Sequence, residues 1–272
     1  MLQKFLMISL FSFLAACASK KETVMNKKAE LYYTSGTQSL VDKRYTEALQ
    51  FLIKARDISP EDPKILNNLG MAYYLKGHRD LALKTIEYAI KLDDKNTDAK
   101  SNLAAIALKE KDYDYAEKIL NQVLKDLVYD KQTITYYNLG IIALKKNEPS
   151  KAKEYFEKSI AEDSNYCPSH FRLGVFAYQS RKFKKAIESF KDASMGVCYQ
   201  DPAPTYYQAL TYIELGKFED ARIKLNEVDN RFPRSEYAAK ARMKLMNISS
   251  LENKYNNPTF QANGSKMESP EF

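Results

Sequence analysis

Five side chains in this sequence could do chemistry beyond simple acid–base exchange: the thiols of Cys17, Cys167 and Cys198 and the imidazoles of His78 and His170. Their spacing limits that chemistry. A tetrahedral metal site draws on about four ligands, usually in closely spaced Cys or His pairs, and here neither the cysteines nor the histidines form such pairs. Covalent catalysis needs a nucleophile beside a base, and the sequence contains no nucleophile elbow, no paired-His motif and no Gly-rich phosphate loop. His78 falls in a turn and His170 at a helix-packing position, which suit a solvated and a structural role. The acidic residues lie on outer helical faces and in turns. The residues therefore predict no enzyme, no metal and no cofactor, and the thiols are left for non-catalytic covalent roles.

Cys17 ends a leader. Lys4 gives it a positive start, Phe5 to Leu14 form a short apolar core broken only by Ser9 and Ser12, and Leu14, Ala15, Ala16 and Cys17 close it. Such a stretch is too short to span a bilayer comfortably and ends in small residues, as an export signal does. The last four residues resemble a bacterial lipobox. The resemblance implies transfer of a diacylglycerol to the Cys17 sulfur, cleavage before it and further acylation, palmitate being a typical chain. Two or three acyl chains anchor stably, because each buried CH2 contributes about 0.8 kcal/mol. Ala18 follows, where Asp holds many such lipoproteins at the inner membrane. The same resemblance thus implies the outer membrane, with the chain on its periplasmic face. The expected layout begins with a signal peptide over 1–16, then a lipidated cysteine and a polar, Lys-rich tether over 17–28.

Beyond the tether the elements that could position a site become visible as a repeat. An Ala recurs at Ala48, Ala82, Ala116, Ala152, Ala186 and Ala221; a small residue stands twelve positions earlier, at Gly36, Gly70, Ala104, Gly140, Gly174 and Ala209. A large apolar residue stands four positions later, at Leu52, Ile86, Leu120, Phe156, Phe190 and Leu225. Small residues let the two helices of a hairpin approach, and large ones fill the space between neighbouring hairpins. Pro60 and Pro233 end second helices, and Gly77 and Gly216 occupy turns where φ > 0 is easy. Few Gly and Pro, 8 and 9 in 272 residues, argue against a turn-rich β protein, and 44% hydrophobic residues are enough for a core. The net charge of +7 suits an anionic membrane or, more simply, solvated outer faces.

This periodicity resembles the tetratricopeptide repeat; "NLGMAYYLKGHRDLALKTIEYAI" and "YYNLGIIALKKNEPSKAKEYFEKSI" carry the resemblance most fully. The implied fold is all-α: a right-handed superhelix of six helical hairpins beginning near Ala29, Pro63, Thr97, Thr133, Cys167 and Pro202. Glu236 to Met246 would add a capping helix that packs through Ala238, Ala239, Ala241 and Leu245. The repeat domain is expected over 29–248, and an Asn-, Ser-, Pro- and Glu-rich tail over 249–272 is expected to be disordered.

Cys167 begins the first helix of the fifth repeat and Cys198 follows the second. Antiparallel helices of equal length bring those points to one end of the hairpin, so an exported chain would join them. The repeat resemblance also implies that the fifth, ninth and twelfth positions line a concave face. The fifth are Tyr33, Asn67, Ser101, Tyr137, Phe171 and Tyr206; the ninth are Thr37, Met71, Ala105, Ile141, Val175 and Leu210; the twelfth are Leu40, Tyr74, Leu108, Leu144, Tyr178 and Ile213. Repeats four to six are apolar and aromatic along these lines. They would take an amphipathic helix or an extended apolar peptide, although any one of these residues could equally face the next hairpin. Nothing here suits nucleic acid or a small-molecule substrate.

A lipobox followed by six such repeats is similar to the type IV pilus assembly lipoproteins, the pilotins. Two extra residues before the fourth repeat, in "LVYDKQTITYYNLG", and the cysteine pair around the fifth add to the likeness; Asp94 and Val128, where Pro is common, depart from it. The resemblance implies a protein that binds subunits of the secretin, the outer-membrane channel for the pilus, and promotes their localisation and multimerisation. Two other readings stay open. One is a lipoprotein of the β-barrel assembly machinery, whose repeats "RFPRSEYAAKARMKL" resembles; the other is an adaptor for cell-wall enzymes.

Overall fold

The computed structural model describes residues 24–255. The leader with Cys17, most of the tether and residues 256–272 lie outside them. Within the described residues the chain is helical and contains no strand. Helix α1 covers 24–41, followed by α2 (Tyr45–Ile58), α3 (Pro63–Leu75), α4 (Arg79–Leu92), α5 (Thr97–Lys109) and α6 (Tyr113–Val123). Then come α7 (Gln132–Lys145), α8 (Pro149–Glu162), α9 (Cys167–Gln179), α10 (Phe183–Ala193), a 3-10 turn (Gly196–Gln200), α11 (Pro202–Glu214), α12 (Phe218–Arg231) and α13 (Glu236–Tyr255). The chain divides after Tyr129 into two compact units. The first holds the hairpins α1–α2, α3–α4 and α5–α6. The second holds α7–α8, α9–α10 and α11–α12, closed by α13 against α12 and α11.

Two expected boundaries move. Helix α1 already includes 24–28, which the sequence reading gave to the tether. At the other end α13 continues past 248 to Tyr255, because its last turn has something to pack on. The Tyr255 ring meets Phe218 edge-on at 5.6 Å and covers Gly216, and Arg222 reaches Glu252 at 2.8 Å. Ala238, Ala241 and Ile248 are buried along this helix, while Ala239 is exposed and takes no part in the packing.

The repeat markers meet inside each hairpin. A methyl group placed on Gly36 would lie 2.6 Å from Leu52 Cγ, and one on Gly140 or Gly174 would lie 2.6 Å from the Phe156 or Phe190 ring; Gly70 meets Ile86 in the same way. The large residues therefore fill their own hairpin, pressed onto the bare helix backbone, and not only the space between hairpins. Leu52, Ile86, Leu120, Phe156, Phe190 and Leu225 are all fully buried. Packing at this density leaves no room for a side chain at the glycines.

Each hairpin turns through one residue of positive φ: Lys43, Gly77, Lys111, Asn147, Arg181 and Gly216. The next residue donates its N–H back across the turn, as from His78 to Tyr73 O at 2.9 Å or from Lys182 to Ala177 O at 2.8 Å. This is the Schellman closure, which satisfies the last carbonyls of the first helix. At the opposite ends Asp62, Asn96 and Asp201 cap first helices, with Pro63 and Pro202 at the position where a missing N–H costs nothing.

Candidate protein-binding groove

In the first unit an amide ladder runs across the first helices. Asn102 donates to Asn67 Oδ1 at 2.9 Å, Asn67 to Asn68 Oδ1 at 3.2 Å, and Asn68 to Thr37 Oγ1 at 2.8 Å, so amides tie α5 to α3 and α3 to α1. Tyr33, Met71 and Tyr74 lie half-buried beside this ladder. Burial pushes the Tyr33 and Tyr74 hydroxyls above the ordinary tyrosine range. Tyr74 donates to Glu110 at 3.0 Å and carries Lys109 over its ring.

In the second unit the concave line is aromatic. Tyr137 packs on Phe156 and on Tyr166, both at 5.6 Å. Phe171 packs on Phe190 and on Tyr207, both at 5.7 Å, and Tyr207 in turn contacts Tyr206 and Tyr237. Burial, with the Tyr137 and Asp163 charges adding to it, raises the Tyr166 hydroxyl to about 12.

The twelve residues singled out from sequence separate into two groups. Tyr33, Met71, Tyr74, Tyr137, Ile141, Leu144, Phe171 and Ile213 are half-buried and keep surface for a partner. Val175, Tyr178, Tyr206 and Leu210 do not: their exposures are 0, 1, 2 and 3%. They belong to the core of the second unit, and for them the expectation of a groove-facing side chain is corrected. The physical reason is ring size. Phe183, Phe190, Tyr207 and Tyr237 are large enough to close over them.

The Sγ atoms of Cys167 and Cys198 are 2.01 Å apart, joining the start of α9 to the 3-10 turn after α10. The turn is held further by Arg231, which donates to Tyr199 O at 2.7 Å and lies 3.9 Å over its ring. His170 Nε2 is 2.8 Å from Ser164 O, and His78 is an exposed residue leading into α4. Among the described residues no group of His, Cys, Asp and Glu is arranged to hold a metal, and no helix is long and apolar enough to cross a membrane.

The sixth position of the repeat carries contacts that the fifth, ninth and twelfth do not announce. Asn68, Asn102, Asn138, Arg172 and Tyr207 recur in the same register as the repeat's Ala marker, and Asn68, Asn102 and Tyr207 make the cross-helix contacts just described. The spacing alone could have found them.

Hairpins stacked in register, turned by one left-handed residue each and locked by a small residue against a large one, define a tetratricopeptide-repeat protein. Tetratricopeptide-repeat family models match residues 67–127, 134–166 and 206–235. Within that class the chain resembles the type IV pilus biogenesis factors. It is 26% identical over 139 residues to the type IV pilus assembly protein PilF of Pseudomonas aeruginosa, covering 51% of this chain and 55% of that one. It is 28% identical over 222 residues to a TPR repeat-containing protein of Methanocaldococcus jannaschii, covering 74% of this chain and 38% of that one. The matches thus span about half or less of these relatives' length. The solved structure of P. aeruginosa PilF aligns over 81% of this chain and 99% of its own, with a TM-score of 0.71 at 20% identity. That of PilW, described as a widely conserved type IV pilus biogenesis factor, aligns over 78% and 97%, with a TM-score of 0.66 at 15% identity. At these identities the structures speak for the fold.

Proposed function

We propose that this chain is a pilotin: an outer-membrane lipoprotein, acylated at Cys17, whose repeats hold secretin subunits and promote their multimerisation. The observation that carries the reading is the half-buried apolar line Tyr137, Ile141, Leu144, Phe171 and Ile213 on the first helices of the second unit, in a repeat protein related to pilus biogenesis factors. Uncovered apolar side chains in a line fit an apolar segment of another protein. No chemistry is required of the site. An anchor that confines the repeats to a membrane raises the local concentration of whatever they hold, so assembly is promoted by mass action.

Two variants test the two halves of this reading. Ile141→Ser combined with Phe171→Ala strips the apolar line, and aromatic anchors of this kind often cost about 2 kcal/mol or more on truncation, roughly thirtyfold in affinity. Heat-resistant secretin multimers are expected to fall while the monomer persists, with helix content by circular dichroism close to that of the parent. Cys17→Ser is expected to leave the protein unprocessed and away from the outer membrane. Unchanged multimers in a clean deletion strain would remove the secretin reading altogether. Unchanged multimers in the folded groove variant would remove the groove from it.

A further inference from the structure

Beside the apolar line of the second unit stands a cation with no ion-pair partner among the described residues. Arg172 follows Phe171 on α9 and is half-buried. Its Nε is sealed from solvent without a hydrogen-bond acceptor, and among the described residues its guanidinium forms no ion pair. Of the unit's other arginines, Arg222 pairs with Glu219 and Glu252, Arg231 with Glu227 and Arg242 with Asp229, while Arg181 and Arg234 are exposed to solvent. The acids in its neighbourhood are committed elsewhere. Asp201 accepts from the Ala203 N–H to cap α11, and Glu236 holds Lys240 at 2.6 Å.

A buried donor left unmatched is costly, and more so on a charged group. The sealed Nε is out of a ligand's reach, but the two terminal nitrogens are not sealed, and a planar guanidinium can grip a carboxylate through them with two parallel N–H bonds. Its surroundings mix charges with apolar rings, the Asp201 and Glu236 charges adding to the rise of the Tyr237 hydroxyl. The charges of Lys240 and Arg172 both reach the Tyr237 hydroxyl, where they oppose the rise that burial causes. The Tyr237 ring packs at 5.4 Å on Tyr206, and Tyr206 forms one wall of a cleft of about 420 Å³ lined also by Lys240, Met243, Lys244, Asn247 and Leu251.

We propose that the second unit's groove takes a protein segment carrying an acidic side chain flanked by apolar residues. The carboxylate seats on Arg172, and the apolar flanks lie on the Ile141–Phe171 line and against the Met243–Leu251 wall. This rests on the groove reading above and adds the chemistry of the bound segment, which the apolar line alone leaves open. Charge complementarity selects the acid, and the flanking surfaces select what stands beside it.

A phage-displayed library of random twelve-residue peptides, panned on the described repeat region in the full chain, supplies the probe. Enriched peptides are expected to carry Asp or Glu next to Phe, Leu, Ile or Met. Exchanging that acid for its amide in a synthetic copy should weaken binding tenfold or more on the parent protein and less than twofold on Arg172→Met, which keeps the apolar stem. Arg172→Gln serves as a second variant should the first lose helix content. An acid-to-amide ratio that is the same on the parent and on both Arg172 variants overturns the proposal, as does enrichment of apolar peptides without an acid. Peptides that bind undiminished to the Ile141→Ser, Phe171→Ala variant instead sink the groove reading itself, and so does a library that yields no binder. The two failures are therefore distinct.

Discussion

The two units use one repeat plan with different atoms. In the first, Gly36 and Gly70 face Leu52 and Ile86, and the concave line is tied by the amides of Asn67, Asn68 and Asn102. In the second, Gly140 and Gly174 face phenylalanines, the concave line is aromatic, and a disulfide closes the fifth hairpin. An amide ladder fixes register with directional bonds, and Tyr33, Met71 and Tyr74 stay half-buried beside it. A ring cluster gains its energy from area, and where its rings are only partly covered it leaves apolar surface for something else. The register of a repeat thus fixes the fold, while the residues placed on it decide whether the first helices are tied by amides or by rings.

The largest test of this contrast is Phe190→Ala. Truncating a fully buried phenylalanine costs about 3–5 kcal/mol, and Phe190 also supports the Phe171 and Tyr207 rings. Leu52→Ala in the first unit should fall lower within the roughly 2–5 kcal/mol span for such losses. Equal shifts of the urea midpoint would mean that the rings add nothing beyond their volume. Next comes the bridge. Cys167→Ser with Cys198→Ser opens a loop with a sequence separation of 31, worth about 3–4 kcal/mol by chain entropy. The loss should be local: amides of α9 to α11 should exchange faster with deuterium while those of α3 to α5 keep their protection. Uniform loss across both units would contradict a local role for the bridge.

The ladder is a smaller matter. Removing Asn67 strands the amide of Asn102, and a double-mutant cycle on the two is expected to give a coupling of about 1 kcal/mol. A coupling near zero would show that the amides are spectators. Smallest of all is the response to alkali. Tyr166 has a folded-state value of about 12, raised from 10.0. Its contribution to stability is therefore complete below pH 10 and is lost as the pH climbs through 12. Absorbance at 295 nm should show a late tyrosinate step that disappears in Tyr166→Phe. If the step survives unchanged, it belongs to another tyrosine raised by burial, such as Tyr33 or Tyr237.

Most of the architecture was legible because it rests on spacing. Six small residues, six alanines and six large apolar residues in fixed register give the hairpins, and helix starts at Pro63, Thr97, Cys167 and Pro202 fall where the register puts them. What escaped depended on neighbours. Val175, Tyr178, Tyr206 and Leu210 look like groove residues by position, yet rings from adjacent helices cover them. Lys43, Lys111, Asn147 and Arg181 adopt positive φ because the Schellman closure imposes it, although only Gly77 and Gly216 announce it by type. The last turn of α13 was missed because its anchor, the Tyr255 ring on Phe218, joins residues far apart in sequence. Arg172 stands at the sixth position, outside the three that the repeat resemblance assigns to the groove.

The small-on-large contact within each hairpin also bears on how the chain reaches this fold. Gly36 and Leu52, Gly70 and Ile86, Gly140 and Phe156, and Gly174 and Phe190 are close along the chain, so each lock can close without help from a distant segment. Contacts of short range carry little loop-closure entropy and are associated with folding in microseconds to milliseconds. Any hairpin of the array can then serve as the nucleus, with its neighbours adding in turn. For the fifth repeat the order of events matters more. Because Gly174 and Phe190 are joined by a short stretch of chain, their hairpin can bring Cys167 and Cys198 together early, and the bond between them can form before the neighbouring hairpins have packed.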